Sequence, residues 1–71
     1  MSDKKLRRLV LRDEYQMNGV DYEVYAFGEA TVTVALPDYE VVRVKVDGQA
    51  VPPSSQPDLL ELVAIRRFVR P

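Results

Sequence analysis

Residues 9–27 read LVLRDEYQMNGVDYEVYAF, and this stretch decides the fold. Asn18-Gly19 lies at its middle. A type I′ turn needs positive φ at both central positions, and these two residues tolerate it at least cost, so the stretch reads as a hairpin. A two-residue loop sets Met17 opposite Val20, Tyr15 opposite Tyr22, Asp13 opposite Val24 and Leu11 opposite Ala26. That face is apolar except at Asp13, which marks either the limit of the covered sheet or a bulge. The reverse face pairs Gln16 with Asp21, Glu14 with Glu23, Arg12 with Tyr25 and Val10 with Phe27. Glu14 against Glu23 is a like-charge pair that costs a little.

Outward from the hairpin, Gly28 ends the second strand and residues 30–36 alternate into a third. A three-residue loop, Gly28-Glu29-Ala30, aligns Val32 with Ala26, Val34 with Val24 and Leu36 with Tyr22, whereas a two-residue turn sets threonines over that apolar face. The longer loop is therefore preferred. Pro37-Asp38 supplies the next turn. The fourth strand, 41–46, points Val42, Val44 and Val46 inward and Arg43 and Lys45 outward, and Asp47-Gly48 closes it. A short return strand over 49–51 can follow. Residues 52–57, PPSSQP, read as a stiff polar linker.

The last segment admits two readings. Ser55 with Pro57 and Asp58 resembles a helix start, and Arg66, Arg67 and Arg70 stand where a helix dipole favours cations. The apolar positions run nearly all round such a helix, so it should be covered on more than one side. Read instead as a strand, residues 62–70 close a small five-stranded all-β barrel. The helix is preferred. The expected fold is α+β: a four-stranded antiparallel meander with a C-terminal helix on one face, a single domain over 1–71 with residues 1–5 as a flexible basic arm.

Composition excludes much. With no cysteine, histidine or tryptophan among 71 residues, there is no zinc finger, iron-sulfur centre, disulfide framework, catalytic thiol or Ser-His-Asp triad. No metal or cofactor site and no catalytic residue is expected, three scattered glycines make no phosphate loop, and the reading is non-enzymatic. A polar start and the lack of any long apolar run point to a cytoplasmic chain with no membrane partner. A chain this small without a covalent or metal staple has a thin stability margin, which makes self-association, or apolar surface held for a partner, a physical option.

Charge is distributed unevenly: residues 1–12 carry +4, 13–40 carry −7 with no cation at all, and 41–71 carry +2. An acidic hairpin suits a basic surface on another macromolecule. If the helix covers the face bearing Leu9, Val24 and Val34, then Val10, Tyr25 and Phe27 form an apolar patch beside Arg12, the composition of a binding anchor. The expected function is a small protein-binding module, a regulator, inhibitor or accessory subunit, whose partner is another protein or a second copy. Arg12, Tyr25 and Phe27 are its anchors, and Glu14, Asp21 and Glu23 set its electrostatic preference. The alternative is nucleic-acid binding through Lys4, Lys5, Arg7 and Arg8 of the arm with Arg66, Arg67 and Arg70, a reading opposed by a pI near 5.3.

Overall fold

Two hairpin tips take the conformation their dipeptides demand: φ is 54° and 81° at Asn18 and Gly19, and 55° and 82° at Asp47 and Gly48. In the computed structural model, which describes residues 9–69, these and two further turns lay the chain out as β1 (Val10–Met17), β2 (Val20–Phe27), β3 (Ala30–Ala35), β4 (Glu40–Val46) and β5 (Gln49–Val51). All neighbours are antiparallel, and the sheet order follows the chain. A 3-10 turn over Pro53–Ser55 then leads into α1 (Pro57–Val69). The fold is α+β with an open five-stranded sheet, not a barrel, and the last segment is a helix.

The helix begins one residue later than a Ser55 cap would set it. The Leu60 N–H donates to the Gln56 carbonyl at 3.1 Å, while the Ser55 hydroxyl donates to the Pro52 carbonyl inside the 3-10 turn at 2.7 Å. Pro57 stands where no amide donor is needed, Asp58 lies in the first turn, and Arg66 and Arg67 lie in the last, in accord with the dipole.

The first hairpin keeps the expected register from Met17↔Val20 as far as Asp13↔Val24. Arg12 is then the extra residue of a bulge, so that Leu11 faces Tyr25 and Val10 faces Ala26, not Ala26 and Phe27. The second connection departs further. Its loop has two residues, Gly28 and Glu29, and aligns Val32 with Tyr25 and Val34 with Glu23. The two-residue loop does place Thr31 and Thr33 beside Ala26 and Val24. That is no penalty, because the face carrying them is not the one the helix covers.

α1 covers the reverse face, the one holding Glu23, Tyr25 and Phe27 of β2. Tyr25, Phe27, Ala30, Val32, Val34, Tyr39, Val44, Leu59 and Val63 form the buried core, with Leu9, Leu36, Val41, Val46, Val51 and Leu62 packed around it. Tyr25 and Phe27 are therefore core residues and not an exposed patch beside Arg12. Three valines of β3 and β4 outweigh the burial of one glutamate, provided that glutamate finds partners. A second bulge in β4 turns Val41 inward opposite Val34 and leaves Val42 half-exposed, reversing the expected role of Val42. The helix is also less enclosed than its composition suggests: Leu59 and Val63 are its buried residues, while Ile65, Phe68 and Val69 remain exposed.

Candidate functional site

The buried glutamate finds its partners among phenols. Glu23 and Tyr25 are two apart on β2 and so share a face. The Tyr25 hydroxyl donates to Glu23 Oε1, and the Tyr39 hydroxyl donates to the same oxygen at 3.3 Å. Tyr39 reaches it from the β3–β4 turn, where the residue holds a left-handed φ of 60°. From above, Arg66 of α1 donates its Nε hydrogen to the Tyr25 oxygen at 3.0 Å and sets its guanidinium 4.8 Å from the centre of the Tyr25 ring. Among the described residues no buried side-chain polar atom lacks a partner.

Burial, reinforced by the hydrogen bonds to Glu23 and Tyr39, pushes the Tyr25 phenol well above its ordinary pKa, while Arg66 acts in the opposite direction. For Arg66, burial disfavours the charge, but the hydrogen bond to Tyr25 and the neighbouring phenols prevail and hold the guanidinium above its ordinary value. At neutral pH the cluster is therefore a neutral phenol between a cation and a carboxyl group. It ties helix to sheet with its polar groups satisfied, the arrangement of a structural lock.

The other face of the sheet is uncovered by any described element. The registers arrange it in rows across the strands: Met17 and Val20; Tyr15, Tyr22, Ala35 and Glu40; Asp13, Val24, Thr33 and Arg43; Val10, Ala26, Thr31, Lys45 and Ala50. Tyr15 and Tyr22 stack with ring centroids 5.1 Å apart and planes 23° from parallel. Val10 and Met17 are each 51 % exposed. A solvated sheet face normally alternates to polar residues, whereas this one mixes apolar side chains with a few charges.

Two concavities adjoin these surfaces. One is a wide-open depression of about 480 Å³ lined by Glu14, Tyr15, Gln16, Asp21, Tyr22, Glu23 and Leu36, at the rim of which Gln16 Nε2 donates to Asp21 at 3.0 Å. The other, about 220 Å³, runs between β1 and α1 along Leu9, Leu62, Ile65, Arg66 and Val69. Among the described residues no group of acidic, histidine or cysteine side chains is arranged to hold a metal ion, and no helix is long and apolar enough to cross a membrane.

The expected site residues are thus dispersed. Glu14 and Asp21 are exposed on the hairpin, Arg12 is exposed at the bulge, and Glu23, Tyr25 and Phe27 are buried. Of the alternative set, Arg66 is engaged by Tyr25, Arg67 is exposed, and Lys4, Lys5, Arg7, Arg8 and Arg70 lie outside the described residues. Sequence reasoning missed the lock and the open face together, because both follow from which face of β2 is covered. One signal was available: Glu23, Tyr25 and Phe27 alternate, and tyrosine can satisfy a neighbouring carboxylate. No protein family, curated protein or solved structure matches the chain.

Proposed function

We propose that the chain is a small, non-enzymatic protein-binding module whose contact surface is the open sheet face centred on Tyr15 and Tyr22. The observation that carries this reading is the apolar content of that face. Val10, Met17 and the tyrosine pair stand on the side of the sheet opposite α1, at positions an antiparallel sheet ordinarily gives to polar residues. Aromatic side chains with a cation nearby have the composition of an interface centre, and Arg43 lies two strands from Tyr22 on that face. The acidic side chains first assigned to the contact, Glu14 and Asp21, flank it from the reverse of the hairpin, where they tune electrostatic preference for a partner. Tyr25 and Phe27, being core residues, take no part.

A photo-cross-linking amino acid at Met17 tests the assignment. The expected result is a discrete protein adduct from Met17 that is absent when the same probe replaces Glu61 on α1, and that disappears on changing Tyr15 and Tyr22 together to serine. Equal labelling from both probe positions, or none from Met17, overturns it. Nucleic-acid binding keeps one supporting observation, the stacked tyrosines sharing a face with Arg43 and Lys45. Against it, residues 13–40 carry seven carboxylates and no cation, and the whole chain has a net charge of −1 and a pI near 5.3, unlike a nucleic-acid-binding footprint.

A further inference from the structure

We infer that the occupant of the open sheet face is a second copy of this chain, the two copies being related by a twofold axis that runs parallel to the strands, between β2 and β3. The inference rests on the reading of that face as the contact surface and names its partner. A twofold contact requires one patch to complement itself, and the registers allow this to be checked residue by residue. Rotation about such an axis lays β1 of one copy over β4 of the other and β2 over β3, each row facing its own counterpart.

In the third row, Asp13 of each copy then meets Arg43 of the other, giving two opposite-charge pairs for every contact. In the second row, Tyr22 lies over Ala35 and Tyr15 over Glu40, whose carboxylate can accept from a phenol. In the fourth, Val10 meets the aliphatic stem of Lys45, and Ala26 meets Thr31. Size complements size as well. On the two central strands, β2 presents Tyr22 and Val24, whereas β3 presents Thr31, Ala35 and the buried Thr33. The rotation sets β2 of each copy on β3 of the other, larger side chains over smaller ones, as close packing of sheets about 10 Å apart requires.

The other simple twofold, perpendicular to the strands in the plane of the contact, lays β4 on β4. It crowds Arg43 and Lys45 of both copies together and leaves Asp13 over the hairpin of its own kind. Charge therefore selects the axis parallel to the strands. The same pairing supplies the small domain with a second apolar layer.

Charge reversal tests the geometry on the full chain, with native mass spectrometry and sedimentation equilibrium reading mass and far-ultraviolet circular dichroism verifying the fold. The wild type is expected to be a dimer. Asp13→Arg alone sets arginine against arginine, Arg43→Asp alone sets carboxylate against carboxylate, and each should raise the dimer Kd about a hundredfold. Mixed in equal amounts, the two variants should form a heterodimer of near wild-type affinity, since both crossed pairs are restored. A wild type that stays monomeric to millimolar concentration overturns the inference, and so does failure of the folded variants to rescue each other. A monomer that still gives a protein adduct from Met17 loses the second copy while keeping the contact face, and a monomer that binds oligonucleotides in its place loses both.

Discussion

Removing the Glu23 carboxylate takes away the acceptor that two core phenols share, so Glu23→Leu should cost about 2–3 kcal/mol in urea unfolding even though it adds apolar surface. Glu14→Leu, at the exposed partner position directly across the hairpin, should change stability by no more than about 0.5 kcal/mol. Equal losses from the two variants would mean that Glu23 is not engaged by Tyr25 and Tyr39. The same cluster sets a pH response. Tyr25 holds its proton more tightly in the folded chain than in the unfolded one, where tyrosine titrates near about 10. Its contribution is therefore fully present below that pH and is lost as pH rises beyond it, because the unfolded state releases the proton first. In an alkaline titration followed by phenolate absorbance, a fraction of the tyrosine signal should lag and appear with unfolding. Tyr25→Phe should abolish the lagging fraction.

The turns show how much of the elements is written locally. Beyond the adjoining residues of the chain, nothing lies within 4 Å of a Cβ placed on Gly19 or Gly48, so replacing either by alanine costs only the left-handed backbone, about 1 kcal/mol each by chemical denaturation. Asn18-Gly19 and Asp47-Gly48 were legible for this reason: the demand they meet is confined to two residues. The strands between them, the register from Met17 to Asp13 and the C-terminal helix could be read in the same way. The covered face could not. Alternation on β2 offers one set with Tyr22, Val24 and Ala26 and another with Glu23, Tyr25 and Phe27, and the glutamate argued for solvent until Tyr39 and Arg66, distant in sequence, arrived to satisfy it. From that choice the wrong loop at Gly28 followed, and with it the wrong surface. The bulge opposite Thr33 was equally silent, since Val41 and Val42 are alike in chemistry and only the partner strand distinguishes them.

At the scale of the whole molecule, the described residues form one core under a single helix, and the second face of the sheet is open to a cover. If that cover is another copy, thermal midpoint must rise with protein concentration, by mass action on the folded state alone. Calorimetry over a hundredfold dilution series should show the midpoint falling on dilution for the wild type and staying flat for Asp13→Arg. Among the described residues the sheet also has two unpaired margins, β1 and the three-residue β5. An unbroken eight-residue margin is a template on which further chains could stack endlessly, and the extra residue at Arg12 interrupts it. Excising Arg12 would restore straight hydrogen-bonding geometry along that margin, and the resulting protein should convert on standing into thioflavin-binding fibres while its parent remains clear. On that outcome the kink would act as a guard against edge-to-edge stacking into amyloid.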